Sequence, residues 1–172
     1  MDINNNLFNL IKSQKWNDFL ELLNKNPDVN VNIRDTSNNY LIQYAILFNN
    51  IESVKLILKR QCKLDILDID GRTLLHNPIK YGYNSILETL LANEKDTVGI
   101  SLLDHFDNKG LFPIHYAIIF KNINALKIIL KFTNNIDVSD QDGNTALHYA
   151  IKIKDLDMYK LIIAYNTENA RD

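Results

Sequence analysis

The stretch Asp140-Gln141-Asp142-Gly143-Asn144-Thr145-Ala146-Leu147-His148-Tyr149-Ala150 is not unique in the chain. Asp107-Asn108-Lys109-Gly110-Leu111-Phe112-Pro113-Ile114-His115-Tyr116-Ala117 is a second copy, and Asp68-Ile69-Asp70-Gly71-Arg72-Thr73-Leu74-Leu75-His76 is a third. A weaker copy begins at Asp35 and runs through Tyr40-Leu41-Ile42-Gln43-Tyr44-Ala45. Tyr40 and Thr73 are 33 residues apart, Thr73 and Phe112 are 39, and Phe112 and Thr145 are again 33. The period is therefore about 33 residues, with six extra residues in one unit. Self-similarity at such a period marks a stack of small supersecondary units, none of which can bury its apolar face alone.

Each unit has a local physical logic. The glycine of each strong copy permits the positive φ of a tight turn. Thr73 and Thr145 stand where a hydroxyl can cap a first helix, and Pro113 fits a first helical position, where its missing N–H costs nothing. Second helices follow with apolar residues at helical spacing: Val54, Ile57 and Leu58; Ile86, Thr89 and Leu90; Leu126, Ile129 and Leu130; Met158, Leu161 and Ile162. Pro78 breaks the pattern, because an interior proline loses a helical hydrogen bond at a cost of about 3 kcal/mol. A kinked or late-starting helix is predicted there, or a chain shifted by local rearrangement. The same unit ends in the insertion around Asn93-Glu94-Lys95-Asp96-Thr97-Val98-Gly99-Ile100, which makes 73–106 the expected soft segment of the chain.

Motif and period together resemble the ankyrin-repeat family, whose D-x-x-G-x-T-P-L-H-x-A pattern recurs here. The resemblance runs from about Leu7 to Tyr165 and implies an all-α ankyrin-repeat solenoid of stacked helix-turn-helix units. It implies one domain, 1–172, with repeats at approximately 3–34 (a divergent cap), 35–67, 68–106 with the insertion, 107–139 and 140–172. It also implies structural histidines at 76, 115 and 148, each bonding its own turn and the adjacent unit. The Asn- and Ile-rich style further resembles ankyrin proteins of large DNA viruses.

Composition narrows the function classes. The 172 residues carry 19 Lys and Arg against 21 Asp and Glu, a net charge of −2, which favours neither nucleic acid nor an acidic membrane. With 46% hydrophobic and 23% charged residues the chain has the make-up of a globular core. Lysines 55, 59, 127, 131 and 160 lie opposite the apolar stripes and read as a solvated outer face. Cys62 is the single cysteine, expected as a small buried thiol at the end of a second helix. No apolar run is long enough to span a bilayer, and Met1-Asp2-Ile3-Asn4-Asn5-Asn6 has no basic leader segment. A cytoplasmic setting is expected, with the nucleus as the alternative.

Catalytic and metal chemistry find little support. There is no Gly-rich phosphate loop, no G-x-S-x-G, no H-E-x-x-H and no cysteine pair. The recurrent histidines sit a repeat apart, on the order of 10 Å as for packed helices, too far to share one tetrahedral ion. Asp68/Asp70 and Asp140/Asp142 are turn residues, and His105 has no evident partner. The expectation is no enzyme, no cofactor and no metal.

The resemblance directs attention to the concave face, where turn tips and first-helix ends meet partners. Those slots hold Leu47 and Phe48, Tyr81, Ile119 and Phe120, and Ile153 at helix ends, and Ile69, Arg72, Leu111 and Asn144 at tips, with Tyr44, Tyr116 and Tyr149 recurring beside them. The family prefers polar residues at the helix ends, so an aromatic stripe suggests a protein-docking surface. The competing account folds these side chains back onto neighbouring helices. Met158-Tyr159-Lys160-Leu161-Ile162-Ile163-Ala164-Tyr165 is as apolar as the inner second helices, although terminal repeats are normally polar outside. A monomeric, non-catalytic scaffold for another protein is the expected function. The alternative is an N-terminal targeting or substrate-adaptor module of a larger protein, such as a ubiquitin-ligase adaptor or an enzyme.

Overall fold

The computed structural model describes residues 2–94 and 101–169, which form ten α-helices. Two compact units divide the chain, Met1–Leu64 and Asp65–Asp172. The first contains α1 (Ile3–Lys12), α2 (Trp16–Lys25), α3 (Leu41–Leu47) and α4 (Ile51–Leu58). The second contains α5 (His76–Tyr81), α6 (Asn84–Glu94), α7 (Pro113–Ile119), α8 (Ile123–Phe132), α9 (Ala146–Lys152) and α10 (Leu156–Asn169).

Within each unit, consecutive helices pair, and like packs on like. In the first unit α1 lies against α3 and α2 against α4; in the second α5, α7 and α9 form one row and α6, α8 and α10 the other. This is the all-α repeat solenoid that the 33-residue period predicts. The core of the first unit is built on Leu7, Ile11, Phe19 and Leu23, all fully buried. In the second unit Leu75, Ile79, Ile86, Leu87, Leu126 and Ile129 play the same part. Each such side chain contributes about 1.5–3 kcal/mol on burial.

The break between paired helices is made the same way in every repeat. Gln14, Asn49, Gly82, Lys121 and Lys154 all take positive φ, between 52° and 75°, and only one of them is glycine. At the helix starts, the expected threonine cap is outweighed by a bond in the reverse direction. The backbone N–H of Tyr40 donates to Gln43 Oε1, and those of Thr73, Phe112 and Thr145 donate to Nδ1 of His76, His115 and His148, at 2.8–3.1 Å. Half of a capping box thus recurs, with glutamine standing in for histidine in the second repeat.

Pro78 is accommodated by a late start. Leu74 is the counterpart of Pro113 and Ala146, yet α5 begins only at His76. Proline then occupies the third helical position, where no intrahelical amide bond is required. The insertion residues 95–100 lie outside the described residues, so the expectation for that stretch is carried by its flanks. Glu94 Oε1 accepts the Leu102 N–H at 2.5 Å, and Leu102 and Leu103 are buried.

Cys62 lies beyond α4 rather than at its end; the thiol is buried and donates to Lys63 O at 3.3 Å. The second-helix lysines 55, 59, 127, 131 and 160 are exposed. Among the described residues no helix is long and apolar enough to cross a membrane.

Candidate docking face and its cavity

The turn tips are built by one aspartate per repeat. Asp35, Asp68, Asp107 and Asp140 each use Oδ1 to accept the backbone N–H groups two and four residues on, at 2.8–3.0 Å. The other carboxylate oxygen takes a tyrosine nine residues downstream in three of the four repeats: Tyr44 to Asp35 at 2.7 Å, Tyr116 to Asp107 at 2.6 Å and Tyr149 to Asp140 at 2.5 Å. Burial pushes the Asp140 carboxyl up, but the bonds from Tyr149 and Asn144 outweigh it and hold the group at about 2. Burial together with that aspartate pushes the Tyr149 phenol up to about 12. These aspartates are structural acceptors, as the turn assignment requires.

The tyrosine–aspartate pairing was not anticipated, although its signal was present in the nine-residue spacing. It fails in the third repeat, where the slot holds Asn77. There Arg72 takes over the turn: its guanidinium lies 2.7 Å from Asp70 and 3.9 Å from Asp68, and its Nε–H donates to the Tyr116 hydroxyl at 3.0 Å. Beside Asn77 the second unit has a cavity of about 240 Å³. Leu111, Ile119 and Phe120 form its apolar lining, and Arg72, Lys80 and Lys109 its cationic one. Adjacent tips in this unit are tied by Asn108, which donates to Ile69 O and Asp70 O, and by Gln141, which donates to Asn108 O.

His76, Asn77 and Tyr116 complete the cavity wall. His76 is 2% exposed and meets the Tyr116 ring edge-on, with centroids 4.6 Å apart. Because its Nδ1 accepts the Thr73 N–H, the ring proton resides on Nε2. His115 uses that second nitrogen on Val138 O, 3.2 Å away in the segment that leads into the following repeat. Among the described residues the buried Nε2 of His76 has no such partner, and the stretch that would supply the equivalent carbonyl is the one lengthened by six residues. Burial pushes the His76 imidazole down to about 4 and also lowers His115, so both are neutral at pH 7. His148 keeps the bond to its own turn but is exposed.

The residues singled out from sequence are placed as follows. In the first unit Leu47 is 44% exposed, whereas Phe48 is half-buried, edge-on to Trp16 at 6.0 Å and stacked on Tyr44 at 6.4 Å. In the second unit Tyr81, Ile119 and Phe120 are exposed at the ends of α5 and α7, with Lys80 Nζ 5.1 Å from the Tyr81 ring and 5.8 Å from the Phe120 ring. Ile153 at the end of α9 is half-buried. At the tips Ile69 is 96% exposed, Arg72 and Leu111 line the cavity, and Asn144 is held by Asp140.

A family model described as ankyrin repeats (3 copies) matches residues 7–101 and 98–172. An ankyrin repeat protein of Acanthamoeba polyphaga mimivirus is 39% identical over 140 residues, covering 80% of this chain and 18% of its own length. A nuclear factor NF-kappa-B subunit of Gallus gallus is 27% identical over 125 residues, 70% of this chain and 12% of that protein. An ankyrin repeat protein of Fowlpox virus (strain NVSL) is 29% identical over 89 residues, 52% of this chain and 57% of the relative. The chain thus spans under a fifth of the mimivirus and Gallus relatives. Period, turn chemistry, helix pairing and these similarities agree, and the chain belongs to the ankyrin-repeat family.

Proposed function

We propose that this chain is a non-catalytic docking module for another protein, acting as a monomer inside the cell, with the turn tips and first-helix ends as its contact face. Supporting this is the exposure of apolar side chains at slots that a solvated face fills with polar ones. Tyr81 is 49% exposed, Phe120 39%, Ile119 36% and Leu47 44%. Aromatic side chains standing in a row on rigid helices provide contact area at little conformational cost, because the helices are ordered before binding. In the second unit Arg72 and Leu111 lie beside Ile119 and Phe120, and Ile69, Asn144 and Ile153 are the further contact residues of that unit; in the first unit Leu47 and Phe48 hold the corresponding helix-end slots.

The test pairs capture with stability. Tyr81→Ser combined with Phe120→Ser should abolish retention of the partner from a lysate of the native cell while shifting Tm by less than about 3 °C, the effect of about 1 kcal/mol in a domain of this size. Retained capture, or a drop above about 8 °C, refutes the docking role. Phe48 is a poorer site for this test, since its contacts with Trp16 and Tyr44 give its removal a structural cost.

A second reading, an adaptor or targeting module within a larger assembly, is favoured by α9 and α10. Ile151 is 57% exposed, Leu156 60% and Tyr159 36%, whereas Ile118 and Leu126, the counterparts of Ile151 and Tyr159 one repeat earlier, are fully buried beneath α9 and α10. That face has the chemistry to receive a further helix pair.

A further inference from the structure

We propose that the cavity beside Asn77 is a side-chain pocket for an acidic, apolar segment of the partner, one apolar side chain entering it and flanking carboxylates meeting Lys80 and Lys109. The proposal rests on the docking role above and specifies its chemistry.

Size comes first. About 240 Å³ lies below the roughly 300–1,000 Å³ of small-molecule sites, so the space suits one side chain and its neighbours rather than a cofactor. The chemistry of the wall comes second. Leu111, Ile119 and Phe120 offer apolar contact, three cations line the space, and no carboxylate does. Arg72 is already neutralised by Asp70 and Asp68. Lys109 has no ion-pair partner among the described residues, and Lys80 has only the Tyr81 and Phe120 rings. These two ammonium groups beside an apolar wall complement a carboxylate next to an aromatic or aliphatic side chain. The buried Nε2–H of His76, without a hydrogen-bond partner among the described residues, adds a donor to the same wall.

The origin of the space comes third. Repeats 2, 4 and 5 put a tyrosine at this slot and close it with a bond to the turn aspartate; repeat 3 puts Asn77 there. Asn77→Tyr therefore fills the pocket with the side chain that the other repeats carry, in a way the fold already tolerates.

Fluorescence anisotropy provides the test, with fluorescein-labelled Gly-Ser-Glu-Asp-Phe-Asp-Glu-Ser-Gly as the probe. Three comparisons follow: the same peptide with Gln and Asn for Glu and Asp, the peptide with Ala for Phe, and the acidic peptide against Asn77→Tyr and against Lys80→Glu with Lys109→Glu. Each should weaken binding at least tenfold relative to the acidic probe on the unaltered protein, with unchanged circular dichroism. No binding of the acidic probe, equal binding of the amide probe, or binding by Asn77→Tyr within twofold of the unaltered protein overturns the pocket. If Asn77→Tyr fails to fold, the charge-reversal variant, altered only at exposed lysines, decides the matter. Tyr81→Ser with Ile153→Ser, both outside the cavity wall, separates the two levels. Loss of partner capture there, with capture intact in Asn77→Tyr, rejects the pocket and keeps the docking face; capture intact in both rejects both.

Discussion

Acidification should weaken the fold through His76 in a window set by its burial. The imidazole is neutral in the folded state down to about pH 4, whereas an unfolded histidine takes its proton near 6.5. Between those values the unfolded chain binds the extra proton, so stability is fully present above pH 6.5 and is lost as the pH falls towards 4. The whole effect is about 3 kcal/mol, most of which is lost by pH 4.5. His76→Gln isolates it, because Gln43 performs the same cap in the second repeat by accepting the Tyr40 N–H at 2.8 Å. Urea denaturation at pH 7.0 and 4.5 should show the unaltered protein losing about 2 kcal/mol more than His76→Gln. His115 titrates with the same sign in both proteins and cancels in the difference, as do Asp35 and Asp140, whose lowered values place their losses at more acidic pH. A difference below about 0.5 kcal/mol would refute the assignment of this window to a buried neutral His76.

Gly110 and Gly143 both have positive φ, but a Cβ at Gly110 would sit 2.7 Å from Gln141 N and one at Gly143 meets nothing within 4 Å. Gly143→Ala should cost about 1 kcal/mol for strain alone and Gly110→Ala about 3 kcal/mol; equal losses in denaturant melts would remove the close approach as a cause. Lys121 holds φ 52°, and Lys121→Gly should stabilise by about 0.5–1 kcal/mol, read as a raised Tm, once strain relief is set against the entropy of glycine. Burial pushes the Cys62 thiol up to about 12, so alkylation by iodoacetamide at pH 8 should be at least 100-fold slower in the folded protein than in urea; equal rates would contradict the burial. Amide exchange should be faster across 73–106, with its six-residue α5, than across 112–145, and equal protection would count against a soft third repeat.

Much of this protein is legible without coordinates. The period and the D-x-x-G-x-T-P-L-H-x-A pattern specify paired helices in stacked repeats, because each unit's apolar stripe requires a neighbour. Pro78 announced a disturbed first helix for a purely local reason, a missing amide, and the helix begins late as expected. The threonines stand where a cap was expected, Thr145 at the N-cap of α9 and Thr73 Oγ1 accepting the Leu75 N–H at 3.3 Å, but the bond common to repeats two to five is accepted by the side chain three residues on. Each histidine was expected to bond its own turn and the adjacent unit; all three bond their own turn, and His115 also reaches Val138 O, at the end of its own repeat, whereas among the described residues His76 Nε2 has no partner and His148 is exposed.

Repetition in the chain determined the class of fold, since burying a helical stripe is a demand that residue order alone expresses. Which side chains remained wet was decided by packing. Phe48 lies between Trp16 and Tyr44 and is half-buried, whereas Tyr81, beside Tyr83 and Lys80, and Phe120, beside Tyr116 and Lys80, stay at the surface. Asn77 differs from its counterparts by one letter, yet the cavity beside it exists because Arg72, Tyr116 and Phe120, distant in sequence, gather around the slot where a tyrosine ring would otherwise stand. Pattern is a property of neighbours along the chain; empty volume is a property of neighbours across it.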